Sequence, residues 1–173
     1  MEQSLKQQDY HHAFIYGEKL FLLNPKIEKL YQTLLNVVAK SKNWNQLINI
    51  TDKAYSNRII KKEEANENKS IALFEIAKIK MKSDDKEAIN LIEKAISLKG
   101  NFSPYIKLYT QLLFASNNNT KAQKILKKYW SQSPSSLLRS SITEVLKENN
   151  INKIEFINHL ISKNQNNEES KNY

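Results

Sequence analysis

The chain has 173 residues, with 27 Lys and Arg against 18 Asp and Glu and a formal net charge of +9. Two glycines and three prolines are too few for strand-and-turn architectures, and the lack of cysteine excludes disulfides and thiolate chemistry. No stretch approaches the roughly 18 consecutive apolar residues of a membrane-spanning helix, and the opening Met1-Glu2-Gln3-Ser4 lacks the basic and apolar segments of a signal peptide.

The first predicted helix covers Tyr10 to Leu23. Asp9 caps it, and Ala13, Tyr16, Gly17 and Leu20 recur at the three- and four-residue steps of a buried stripe. Pro25 ends this element or opens the next. A second helix runs from about Ile27 to Lys40 on Leu30, Leu34 and Val38. The turn Ser41-Lys42-Asn43 leads into Trp44, read as a plug at a helix junction, and into a third helix with Leu47, Ile50 and Ala54 inward.

Spacing ties these elements into a repeat. Ala13 and Leu47 are 34 residues apart, as are Ala88 and Ala122, and Gly100 and Pro134. That period belongs to stacked helix-turn-helix arrays. The step from Leu47 to Ala88 is 41 residues, seven too many. The extra length is assigned to a helix extended through Arg58-Ile59-Ile60, with a turn inside the polar run Lys61 to Lys69.

The next unit is a helix from about Lys69 to Lys82, a turn at Ser83-Asp84-Asp85, and a helix from Lys86 to Leu98 that buries Ala88, Leu91, Ile92 and Ala95. Gly100 fits a left-handed position at its end. One period on come Tyr105, Leu108, Tyr109, Leu112 and Leu113, the turn Asn117-Asn118-Asn119, then Ala122, Ile125, Leu126 and Tyr129, closed by Pro134. A last pair spans Leu137 to Leu146, the turn Asn149-Asn150, and a helix carrying Ile154, Ile157, Leu160 and Ile161. The expectation is one all-α domain over residues 1–163, with units at about 9–25, 27–57, 68–99, 103–133 and 136–162. Residues 164–173, almost wholly polar, are read as a disordered tail.

Catalytic signals are sparse. His11 and His12 are adjacent, pointing about 100° apart on a helix, and His159 stands alone, so no metal spacing forms. Asp84 and Asp85 fall in a turn and precede a helix, and capping accounts for one of them. The two glycines stand apart, which excludes a phosphate loop. No enzyme activity, metal or cofactor is expected. The candidate surface is geometric: in such an array the first helix of each pair lines a concave groove. Its outward positions are Lys29, Gln32 and Asn36, then Phe74, Lys78, Met81 and Lys82, then Lys107, Gln111 and Phe114. Amides, cations and a few apolar side chains there suit a peptide or protein partner carrying acidic groups.

The units resemble tetratricopeptide repeats (TPRs). Ala88, Ala95 and Gly100 sit where that repeat favours alanine, alanine and proline, and Ala122, Tyr129 and Pro134 do so one period later. Ala13, Leu20 and Pro25 match at the start, while Tyr10 and Trp44 supply the large residue before the second helix. The resemblance implies a right-handed α-solenoid. The chain is also similar to the repeat region of HemY-like proteins, a bacterial inner-membrane family associated with haem metabolism. The stretches that carry this are Asp9-Tyr10 with Ala13 and Leu20-Phe21-Leu22-Leu23; Trp44 and the long Tyr55-to-Ala72 segment; Lys82 to Ala88 with Phe102-Ser103-Pro104; and Ile125 to Trp130 with Ser133-Pro134 and Leu137-Leu138. This resemblance implies a regulatory or scaffolding link to haem synthesis, no catalytic residues, and a cytoplasmic or inner-membrane-associated location. It also implies that the chain corresponds to an internal or excised piece, or a truncated copy, of a longer, anchored protein.

The leading functional expectation is therefore a protein-interaction scaffold, with self-association through the end helices as a further expectation. The alternative is nucleic-acid or anionic-surface binding by a basic helical face. It is the weaker reading because the lysines are scattered among glutamates and asparagines.

Overall fold

The computed structural model describes residues 9–24, 26–147, 152–164 and 168. Among them every regular element is a helix: α1 (Tyr10–Leu23), α2 (Glu28–Lys40), α3 (Trp44–Ser56), α4 (Lys62–Lys80), α5 (Asp85–Lys99), α6 (Ser103–Ala115) and α7 (Asn119–Gln132). A 3-10 turn (Ser136–Leu138) leads into α8 (Arg139–Lys147), followed by α9 (Lys153–Ser162). The chain divides into two compact units, Met1–Ile76 and Ala77–Tyr173, with the division inside α4. Within each unit successive helices pack as hairpins of the TPR type: α1 on α2 and α2 on α3, then α5 on α6 and α6 on α7.

Every second helix starts the same way. Asp9, Asn43, Asp84, Asn118 and Asn152 are the N-cap residues of α1, α3, α5, α7 and α9. They stand 34, 41, 34 and 34 residues apart. Four of them accept the backbone N–H three residues on, from His12 (3.1 Å), Gln46 (3.4 Å), Glu87 (2.9 Å) and Glu155 (3.1 Å). A short polar side chain there satisfies a donor that the helix itself leaves open. Four residues beyond each cap lies a buried side chain: Ala13, Leu47, Ala88, Ala122 and Phe156.

In the first unit, Phe21, Tyr31, Leu34, Val38, Leu47, Ile50, Ala54, Ile60, Ala65 and Ala72 form the core, with Trp44 half-buried against it. The stripe on α1 differs from the sequence expectation. Ala13, Gly17 and Phe21 are buried, whereas Tyr16 and Leu20 are 51% and 45% exposed. Four-residue steps drift about 40° each, so Phe21 turns with Ala13 and Gly17 toward α2 while Tyr16 and Leu20 fall on the other flank.

The seven additional residues also resolve differently. From Lys62 onward the polar run Lys61 to Lys69 is not a turn but the start of α4, which has 19 residues against 13 in α2 and in α6. The turn is Asn57–Lys61. Ala65 is buried on the first turns of α4, and Asn68 Nδ2 donates to the Tyr31 hydroxyl at 2.9 Å. These two contacts draw a charged, helix-favouring segment onto the core as helix.

In the second unit α6 is the central helix, contacted by α5, α7, the 3-10 turn and α8. Ile106, Leu126, Tyr129, Trp130, Leu138, Ile142, Val145, Phe156 and Leu160 form the core beside it. The helix expected from Leu137 begins as the 3-10 turn and becomes α-helical at Arg139. The expectations for Pro25 and Asn149-Asn150 lie outside the described residues, as does most of the polar tail.

Helix ends depend on positive φ, at positions the sequence reading did not single out. Lys42, Arg58 and Asn117 have φ of 56°, 59° and 56°. The following N–H groups, of Asn43, Ile59 and Asn118, reach back to Val38, Ala54 and Leu113 carbonyls at 3.0, 3.0 and 2.8 Å. This is the Schellman arrangement, in which glycine is the favoured residue. Gly100 has φ 77° and ψ −136°, so it leaves α5 in the mirror-extended region and not in the left-handed helical one. A β-carbon there would meet no atom within 4 Å, so the demand for glycine is conformational and not steric.

Two substitutions test these ends by urea unfolding. Arg58→Gly is expected to raise stability by about 1 kcal/mol, because it relieves a side chain held at positive φ. Gly100→Ala is expected to lower it by about 1 kcal/mol or more. Equal stability of wild type and both variants would contradict the backbone assignment.

Candidate functional site

The first helices of the pairs present the groove positions read from the sequence. In the first unit Lys29, Gln32 and Asn36 are exposed on α2, and Phe74 is half-buried on α4. Gln32 Nε2 donates weakly to Glu64 Oε1 at 3.4 Å, so its amide is partly engaged with α4. Asn36 lines a hollow of about 230 Å³ with Tyr10, Thr33, Val37 and Lys40. In the second unit Lys78, Met81 and Lys82 are exposed at the end of α4 and in the turn after it. Lys107 and Phe114 are half-buried on α6, and Gln111 is exposed.

Of these positions, Gln111 and Phe114 are brought together. They line a pocket of about 300 Å³ whose far wall is Ser140, Ser141 and Glu144 of α8. The volume is at the small end for a binding pocket and has room for one or two peptide side chains. The helical period places Lys107, Gln111 and Phe114 on one stripe of α6 because they are spaced by four and three residues. The residues of α8 were missed by the sequence reading. A signal existed: one period after Lys107 stands Ser141.

Polar contacts fix α6 on both sides of this stripe. Toward α8, the buried hydroxyls of Thr110 and Ser141 are 2.9 Å apart. Thr110 Oγ1 also lies 3.0 and 2.9 Å from the Ile106 and Lys107 carbonyls. With its single proton on one of these carbonyls, Thr110 accepts from Ser141, which settles the depth of α8 against α6 beneath the pocket.

On the opposite side, the Glu93 carboxylate of α5 accepts from the Tyr109 hydroxyl of α6 and from Lys121 Nζ of α7, the latter at 2.8 Å. Lys121 also lies over the Tyr109 ring, 5.5 Å from its centre. Burial alone raises the Glu93 pKa, but the bonds from Lys121 and Tyr109 outweigh it and hold the carboxyl below its usual range. The Tyr109 hydroxyl is pushed up by burial and by donating to Glu93, and Lys121 is pushed up chiefly by its bond to Glu93. One carboxylate thus joins three consecutive helices.

Glu144 is paired with Lys147 at 3.2 Å, and both side chains are more than half exposed. A pair of this kind contributes only a few tenths of a kcal/mol and exchanges readily. His12 Nδ1 lies 2.7 Å from Asp9 Oδ2, which engages that ring with the α1 cap.

No protein-family model matches the chain, and no curated protein matches it. Solved structures with a similar course are TPR proteins. One is YrrB, described as "a TPR protein with an unusual peptide-binding site": TM-score 0.47, 14% identity, 99% of this chain and 86% of that chain covered. Another is the MamA protein, with TM-score 0.45, 14% identity and 95% and 87% coverage. At that distance the fold assignment rests on the helix pairs, caps and period described above.

The Glu93 junction has a pH signature. A carboxyl whose folded pKa is lowered adds stability above its unfolded pKa and loses it as pH falls through the folded value. Between about pH 5 and pH 3, the melting temperature of wild type is expected to fall more steeply than that of Glu93→Gln. At pH 7 the variant is expected to be less stable by about 1 kcal/mol. Parallel pH profiles would remove the junction from the account.

Proposed function

We propose that the chain is a non-catalytic interaction scaffold that binds a peptide or protein segment along the first-helix face of its second unit. The observation that carries this reading is the pocket between α6 and α8. It combines an aromatic wall, Phe114, with an amide, hydroxyls and a carboxylate from Gln111, Ser140, Ser141 and Glu144. An anchor side chain buried against the ring, with its polar end met by those groups, is the usual way an extended segment gains affinity and register at once. Lys107 lies one turn before Gln111 on the same stripe and would take a carboxylate of the flanking segment. Lys29, Gln32, Asn36 and Phe74 in the first unit, and Lys78, Met81 and Lys82 in the second, belong to the same class of outward position and are the further contact candidates.

On this reading residues 1–163 act as one repeat domain. The finer reading, a scaffold beside a haem-linked inner-membrane complex, is supported by the HemY resemblance alone. Among the described residues no helix is long and apolar enough to cross a membrane.

Selection of peptides from a random display library tests the binding reading. Wild type is expected to enrich peptides sharing one anchor residue. Ser140→Phe, which fills the pocket from an exposed position, is expected to weaken them about tenfold or more. Failure of wild type to enrich any peptide, or equal affinity of Ser140→Phe, would overturn it.

The single-domain reading has its own measurement. Trp44 reports on the first unit and Trp130 on the second. Trp44→Phe and Trp130→Phe each leave one reporter, and fluorescence unfolding curves corrected for the stability of each variant are expected to coincide with circular dichroism. Two separated transitions would make the units independent domains.

A further inference from the structure

We infer that the α6/α8 pocket selects a single arginine side chain presented by a partner segment whose neighbouring residues are neutral or acidic. The inference rests on the peptide-binding reading above and adds the chemistry of the anchor.

Residues 94–143 contain seven lysines and Arg139 and not one Asp or Glu. The first carboxylate after this stretch is Glu144, and it lines the pocket. Among the described lining residues it is the charged group; the cation paired with it, Lys147, lies outside that lining. The nearest carboxylate before this stretch, Glu93, is engaged by Tyr109 and Lys121, so Glu144 is the carboxylate this pocket offers a cation.

The other lining groups fit the rest of such a side chain. The Phe114 ring offers a face to a planar cation and an apolar wall to its stem. The Gln111 amide oxygen and the Ser140 hydroxyl add acceptors for donors that Glu144 leaves open. Ser141 is committed to Thr110 at the floor. Lys147 already holds Glu144 at 3.2 Å, which shows the carboxylate accessible to a cationic head group from solvent. A guanidinium, with two parallel donors, outcompetes that exposed monodentate pair. Arginine is favoured over lysine for the same reason, since an ammonium would only replace one point charge with another.

The surroundings set the second half of the inference. Lys107 lies on the pocket stripe, and the protein carries +9 overall. A polybasic segment would be repelled on approach, whereas one arginine among acidic or neutral residues is steered by the same field that repels the former. The expectation of an acidic partner is thereby kept for the flanks and reversed for the anchor.

The test uses the full chain and a peptide enriched from the display library, measured by fluorescence anisotropy. Replacing the anchor arginine by citrulline, which keeps the shape and removes the charge, is expected to weaken binding about tenfold. Glu144→Gln, at an exposed position, is expected to weaken the arginine peptide and to bind both peptides alike. Phe114→Leu is expected to lower the preference for arginine over lysine. Enriched peptides without an arginine anchor, equal binding of the citrulline form by wild type, or a preference that survives in Glu144→Gln would overturn the inference while leaving peptide binding intact. A chain that enriches no peptide at all would instead remove the reading beneath it.

Discussion

The structure depends on close approach between helices at small side chains. Ala13, Ala54, Ala72, Ala77, Ala88, Ala95 and Ala122 are all without exposure. Helix axes sit about 8–10 Å apart according to the side chains at the contact, and alanine permits the shorter end of that range. In α5 the pair Ala88 and Ala95 brackets Ile92 on one buried stripe. In α7, Ala122 is followed by the larger buried side chains Leu126, Tyr129 and Trp130. Enlarging a side chain at one of these positions would push the backbone outward, and a dense core does not absorb such a change. The Asx caps are the companion constraint, because they decide which residue becomes the first buried position of each second helix.

Apolar packing of this kind supplies most of the stability but specifies rotation and depth only loosely. The polar contacts around α6 add that information. Glu93 reaches α6 and α7 from α5, so the three helices have one relative setting that satisfies its carboxylate. Thr110 and Ser141 do the same for α6 and α8 with two buried hydroxyls 2.9 Å apart. The Asn68–Tyr31 bond fixes α4 on α2 in the first unit. Pocket geometry is therefore set in part by residues that do not line it, Thr110 above all.

Much of the fold was legible because its signals are periodic. Polar turns ending at Asp9, Asn43, Asp84 and Asn118 recur at steps of 34, 41 and 34 residues, with Ala13, Leu47, Ala88 and Ala122 one turn later, and the buried faces follow. The miss at Lys61–Lys69 has a physical origin. The segment is polar enough to read as a turn, yet it favours helix and has Ala65 and Asn68 at the positions that meet the core. The positive φ at Lys42 and Arg58 was not legible because neither residue type favours it; packing on both sides of the turn imposes a conformation that local chemistry only tolerates, whereas Asn117 is of a type that adopts it readily. Half of the pocket was legible as well. Gln111 and Phe114 follow from the stripe on α6, while Ser140 and Glu144 lie on the last first-helix, where the stripe was not extended.

That omission shows how the site is written into the repeat. One period before Ser140 stands Ile106, and one period before Glu144 stands Thr110, both fully buried. Ile106 and Thr110 are the positions through which α6 meets α8. At the equivalent places α8 carries a serine and a glutamate, and both are exposed. A glutamate buried there without a partner would cost several kcal/mol, so the sequence at these two positions is compatible only with an open flank. Repeat positions that keep their small or apolar character build the stack, and a position that abandons it no longer serves packing. On the proposed reading, the departure from the pattern at Ser140 and Glu144, beside the Phe114 ring, turns a structural contact into a place for a foreign side chain.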